Sequence, residues 1–167
     1  MQSADYYLSE YGKDHQNPVN QVLHKICVPA IVVSLIGMLW SIPVPAFAAD
    51  LGRYANFATA FIAVAMIYYL ALSPRCALGM LPVIAISLLI VTWLDTLPWP
   101  LWQTSLAIFV VAWIGQFIGH SVEGKRPSFF RDLQFLLIGP LWVLSGTYER
   151  FGFSLGQSRG SDSPVDK

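Results

Sequence analysis

The sequence predicts an all-α membrane protein, a polytopic helical bundle of four transmembrane helices with a short re-entrant or interfacial helical segment. Composition is the first reason: of 167 residues 55% are hydrophobic and 12% charged, and mean hydropathy is +0.54. That is too apolar for a water-soluble domain of this size. Length is the second, because four apolar runs reach the roughly 17 to 20 residues that a helix needs to cross hydrocarbon. The third is the placement of basic residues, which fits one orientation and not its reverse.

Taken in order, residues 1–25 are polar, with aromatic, acidic and basic side chains. They lack the basic-then-apolar form of a cleavable signal peptide and are expected to stay on the protein. Within them Pro18 suits the first position of a helix with Asn17 as its cap. The four spans are Ile26 to about Phe47, Ala55 to Leu72, Leu78 to Leu94, and Leu101 to Ile118. Their breaks carry Pro43, Pro45 and Asp50 to Arg53, then Ser73-Pro74-Arg75, then Asp95 to Pro100. Connections this short favour antiparallel neighbours in one bundle. A fifth run, Leu133 to Ser145, is shorter and interrupted by Gly139-Pro140, which suits a re-entrant or interfacial segment. Residues 1–153 read as one membrane-embedded domain, and 154–167, rich in Gly, Ser, Asp and Arg, as a disordered cytoplasmic tail.

With a cytoplasmic N-terminus and four crossings, Lys13, Lys25, Arg75, Lys125, Arg126, Arg131, Arg150, Arg159 and Lys167 lie inside and only Arg53 lies outside. The expectation is an integral protein of a bacterial inner membrane, or of the endoplasmic reticulum if eukaryotic, with both termini cytoplasmic. Tyr6, Tyr7 and Tyr11 before the first span, and Trp93, Trp99 and Trp102 around the outer loop, are placed as interfacial anchors. A net charge of zero gives no reason to expect nucleic acid, and no Gly-rich phosphate loop suggests a nucleotide cofactor. Cys27 and Cys76 have neither metal-ligand spacing nor a disulfide framework around them, and read as free thiols packing like small apolar residues.

Function points to two polar motifs, which hold all three histidines: His15-Gln-Asn-Pro-Val-Asn-Gln-Val-Leu-His24 and Gln116-Phe-Ile-Gly-His120-Ser-Val-Glu123. An even number of crossings brings both to the same cytoplasmic face. In the second, Gln116 to His120 is i,i+4 and His120 to Glu123 is i,i+3, so all three share a helix face. In the first, Asn20 and His24 are i,i+4 neighbours, while His15 precedes the helix and can fold back toward His24. Neutral imidazole is the commonest protein metal ligand, and ionisable groups at membrane depth mark function by default. The site expected is therefore a metal held by His15, His24 and His120, with Glu123 as a fourth ligand or an outer base. Asn20 and Gln116 would orient rings or bind substrate. Lys125 and Arg126 either capture an anionic head group or serve only as the basic flank that topology requires. The plainer reading is that the motif residues cap helices and bond to lipid head groups.

Nitrogen and oxygen donors without thiolate suit Fe(II), Zn(II) or Mn(II), and two or three histidines with one carboxylate form the non-haem iron pattern. A membrane di-iron hydroxylase of the His-box type needs far more histidines than three. A zinc-dependent lipid hydrolase with Glu123 as general base, and a non-catalytic metal- or lipid-binding membrane protein, remain alternatives on the residues alone.

The segments Tyr6-Tyr7, His15 to Asn20, His24, Pro29, and Gln116 through Glu123 to Lys125-Arg126-Pro127 resemble the signature of a family of small multi-spanning membrane Fe(II)-dependent 2-hydroxy-fatty-acid dioxygenases. The likeness runs from about residue 5 to 150. It departs at Ser121-Val122, between His120 and Glu123, where the family pattern has an aromatic residue just before the glutamate. The resemblance implies α-oxidation: a 2-hydroxy fatty acid and O2 become an acid one carbon shorter plus CO2. That reaction balances without an external reductant, so Fe(II) would be the sole cofactor and the acyl chain would lie among the helices.

Overall fold

A computed structural model describes residues 3–13, 15–124 and 137–150. Helices are the only regular structure among them, as the hydropathy pattern requires. They are α1 (Ala4–Lys13), α2 (Pro18–Trp40), α3 (Ala46–Ala49), α4 (Phe57–Leu72), α5 (Pro74–Leu94), α6 (Leu101–Glu123) and α7 (Ile138–Arg150). Lys125, Arg126, the tail expected from residue 154 and the start of the fifth run fall outside the described residues.

Capping chemistry, more than hydropathy, sets the helix ends. Asn17 Oδ1 accepts the Val19 N–H at 2.9 Å with Pro18 following, so α2 begins eight residues before Ile26 and carries the first polar motif on the same rod as the first span. It ends at Trp40, short of the expected Phe47, because Pro43 and Pro45 cannot continue it. Ser73 ends α4 and starts α5 at once: its N–H donates to Tyr69 O, and its Oγ accepts from Arg75 N–H at 3.2 Å. At its C-terminus α6 runs past Ile118 to Glu123, where Gly124 takes the left-handed conformation at φ 73°. The expected interruption at Gly139-Pro140 is instead the first turn of α7, where a missing N–H costs no helical bond.

Among the described residues three helices, α2, α5 and α6, of 23, 21 and 23 residues, are long and apolar enough to cross a membrane. The 16 residues of α4 are apolar but span only about 24 Å. Large apolar side chains point away from the bundle, Ile67, Leu89 and Val111 being 68%, 69% and 69% exposed. In water such a surface invites aggregation, whereas lipid solvates it.

The principal packing contact joins α2 and α6 as antiparallel neighbours. Small residues allow the approach: a Cβ on Gly119 would collide with Asn20 Oδ1, one on Gly115 with Cys27 Sγ, and one on Gly37 with Ser105 Oγ. Gly115 and Gly119 form a small-xxx-small step on α6, the device by which membrane helices gain dispersion contact when the hydrophobic effect between them is absent. At the far end Trp40, Arg53 and Asp95 gather; Arg53 pairs with Asp95 at 3.1 Å and lies 5.6 Å from the Trp40 ring. At the near end Tyr69 Oη donates to Leu137 O at 2.7 Å, and Tyr69, Met80, Ile138 and Leu141 bury one another beside α1. Thus α4 traverses the bundle from far end to near end, and the start of α2 and the finish of α6 share the near end.

Replacing Gly115 by Val should destabilise the bundle by about 1–3 kcal/mol through overpacking. Gly146→Ala, whose Cβ meets nothing within 4 Å, serves as the comparison. Thermal unfolding in detergent checks this, with a lowered Tm expected for the first variant alone.

Candidate metal centre

The near end brings all three histidines together although 105 residues separate the first from the last. His24 sits on the first two turns of α2 and His120 on the last turn of α6, so the Gly119 contact fixes both. His15 lies in the link between α1 and α2, where its N–H donates to Gly12 O at 3.1 Å and its carbonyl accepts from Gln21 Nε2 at 2.9 Å. One ligand-capable nitrogen from each ring lies within 4.8 Å of the others, and the residues are only 2%, 1% and 5% exposed.

Hydrogen bonding fixes two of the tautomers. His15 Nδ1 lies 2.7 Å from Tyr11 O, and His24 Nδ1 lies 3.0 Å from Asn20 O. A carbonyl oxygen only accepts, so each Nδ1 carries the proton and each neutral Nε2 presents a lone pair. Those two Nε2 atoms are 2.9 Å apart. Two buried lone pairs at that distance repel unless a proton or a metal ion lies between them, and the donor set of three imidazole nitrogens suits Fe(II) or Zn(II). Carbonyl acceptors behind the rings are also the usual means of orienting metal-bound histidines.

Aromatic rings shield the cluster. Tyr11 stacks on His15 at 4.3 Å with planes 11° apart, and Trp142 of α7 lies 5.5 Å from Tyr11 and 5.3 Å from His15. Tyr11 is thus buried against the site and is no interfacial anchor, unlike Tyr6, which is half exposed. Trp142 carried no signal in either polar motif. The sign for Tyr11 was its i,i+4 spacing from His15, which puts its carbonyl and its ring within reach.

Glu123 stands outside the group of three ligand nitrogens. Its carboxylate accepts from Gln16 N–H at 3.0 Å, from Asn17 N–H at 2.9 and 3.2 Å, and from Asn20 Nδ2 at 3.0 Å. It therefore ties the end of α6 to the start of α2, where an anion meets exposed amides and the positive end of the helix dipole. Asn20 and Gln116 are buried at 0% and 4% exposure on the facing sides of α2 and α6.

Such an arrangement defines a class: an α-helical membrane bundle with a buried trihistidine cluster at one end. Comparison then gives the family. The family model described as 2-hydroxy-palmitic acid dioxygenase Mpo1-like matches residues 1–151, and the chain belongs to that family. It is similar to the 2-hydroxy-palmitic acid dioxygenase MPO1 of Saccharomyces cerevisiae, with 29% identity over 151 residues, 87% of this chain and 80% of the yeast protein. No solved structure matches.

Glu123→Ala removes the acceptor for three donors and should lower stability by about 2 kcal/mol, while Glu123→Gln, which keeps one oxygen, loses about half as much. Hydrogen exchange at the Gln16 and Asn17 amides locates the effect. Both should exchange faster in the alanine variant, with the far end of the bundle unchanged.

Proposed function

We propose that the protein is an Fe(II)-dependent dioxygenase of fatty-acid α-oxidation, with His15, His24 and His120 as the metal ligands. The observation that carries this reading is the pair of facing Nε2 atoms, 2.9 Å apart, in two rings whose protons are held on the other side. Family membership supplies the substrate class. In the reaction a 2-hydroxy acid loses C1 as CO2, and C2 rises from alcohol to carboxylic acid. Four electrons leave carbon and O2 takes four, ending in the new acid and in water. Bound iron would supply what no side chain here offers, namely binding of O2 and the transfer of electrons to it.

The remaining work belongs to the chain. Tyr11 O and Asn20 O hold the Nδ1 protons of His15 and His24, keeping each Nε2 directed inward. Tyr11 and Trp142 exclude water from one side of the cluster. Glu123 acts as an outer clamp; its oxygens are engaged by backbone and amide donors, which argues against the general-base role that a zinc hydrolase would need. Lys125 and Arg126, just beyond α6, draw the anionic head group toward the site. The acyl chain enters from the membrane. Topology follows the same reading: α4 crosses with α2, α5 and α6, and both termini and the metal face the cytoplasm, the segment around α7 lying at that interface.

Anaerobic and aerobic incubation with 2-hydroxypalmitate tests the activity. The expected result is O2-dependent release of pentadecanoate with one CO2 per acid. Turnover of an ester or amide without O2 would select the hydrolase instead. Arg126→Ala should raise KM several-fold at unchanged metal content, as loss of a head-group contact made equally in ground and transition states predicts. Wild-type KM and kcat in that variant would reduce Arg126 to a topological flank. Labelling of single cysteines at Arg53 and Gly124 should report opposite sides of the membrane.

A further inference from the structure

Among the buried polar atoms at this end of the bundle, Asn20 Oδ1 and Gln116 Nε2 have no hydrogen-bond partner among the described residues. Their side chains belong to residues 0% and 4% exposed. An unsatisfied buried amide atom costs about 1–3 kcal/mol, and native proteins seldom leave one without a reason. Here two occur on facing helices beside one cluster. Asn20 presents an acceptor, and the Gln116 amide, which no hydrogen bond among the described residues orients, can turn its N–H2 group toward the same cluster.

The identity of the Asn20 atom is not an arbitrary choice of amide orientation. The other end of that amide lies 3.0 Å from Glu123 Oε2, and a carboxylate can only accept, so Nδ2 faces Glu123 and Oδ1 faces away from it. Oδ1 lies against the backbone of Gly119, where a Cβ would strike it, one residue from His120. Nor does this side chain orient His24, because the Asn20 backbone carbonyl already does so. The α2–α6 register pairs Asn20 with Gly119 and Cys27 with Gly115, so Asn20 stands level with His120, and Gln116 level with His24. A fixed acceptor and a donor thus flank the histidines.

The geometry points to Asn20 Oδ1 and Gln116 Nε2 as the groups that read the head of the substrate: Asn20 accepts the 2-hydroxyl proton and Gln116 donates to the carboxylate. Chemistry forces that assignment. An ionised carboxylate offers only acceptors, and the hydroxyl is the one donor a 2-hydroxy acid carries. The inference rests on the dioxygenase reading and adds to it a cause of selectivity. An ordinary fatty acid would leave the Asn20 oxygen buried and unpaired, and sites built to bond a hydroxyl reject analogues that lack one far more strongly than apolar pockets reject a methylene.

The test is equilibrium binding to the full-length protein as purified, kept anaerobic so that no turnover occurs, followed by intrinsic tryptophan fluorescence. The probes are 2-hydroxypalmitate, palmitate and 2-methoxypalmitate. Wild type should prefer 2-hydroxypalmitate over palmitate by about tenfold or more. Asn20→Leu should bring the two affinities within about twofold by weakening only the hydroxy acid, and Gln116→Met should weaken both acids alike. The wild-type protein should bind 2-methoxypalmitate, whose ether oxygen cannot donate, no better than palmitate, and this arm decides the matter if the leucine variant does not fold. Retained tenfold preference in Asn20→Leu, or 2-methoxypalmitate bound as tightly as the hydroxy acid, would overturn the assignment of Asn20. Unchanged affinities in Gln116→Met would overturn that of Gln116. Absence of any hydroxyl preference in wild type would instead remove the 2-hydroxy-acid reading beneath both.

Discussion

Close antiparallel contact between α2 and α6 is the constraint on which the site depends. Gly115 and Gly119 let the two backbones approach until Asn20 lies against α6, and the same approach brings His24 to His120. The two rings lie 96 residues apart in the chain, so only packing between the helices that carry them brings them together. In lipid the contact must rest on dispersion and polar bonding, since burying apolar surface against another helix releases no water. Glu123 adds the polar part, joining α6 to the first turn of α2 by charge-assisted bonds.

A second layer builds on that contact. His15 reaches the cluster from a link that would be free to move without its neighbours, and Gly12, Gln21, Tyr11 and Trp142 each restrain it. α1 and α7 therefore act as a cover over one side of the histidines, which explains why two short helices with little apolar length accompany the bundle. Helices that pack on a site this way exclude water as well as fix a ring, and both effects strengthen electrostatic interactions inside.

Much of this was legible in residue order. Apolar runs marked the long helices, Asn17-Pro18 marked the true start of α2, and i,i+3 and i,i+4 spacing put His120 and Glu123 on one face of α6. Hydropathy alone misplaced the helix ends, because a cap or a proline outweighs the polarity of a turn or two; α2 starts at Pro18 and α7 absorbs Gly139-Pro140. In the sequence Tyr11 looks like an interfacial anchor, because an aromatic residue before a span has the same appearance whether it faces lipid or a site. Trp142 could not be foreseen, since tertiary packing alone brings it to His15. The Gly115-xxx-Gly119 spacing was a readable signal, and it concerned the contact that matters most.

On the proposed function three imidazoles, and no carboxylate, hold the metal. X-ray absorption at the iron edge of anaerobically purified protein, with metal quantified per chain, tests it most directly. One iron per chain with three imidazole scatterers is expected, lost on His24→Ala and kept in Glu123→Gln. A full complement of iron in the His24→Ala protein, or a spectrum unchanged by it, would rule out ligation by the three histidines.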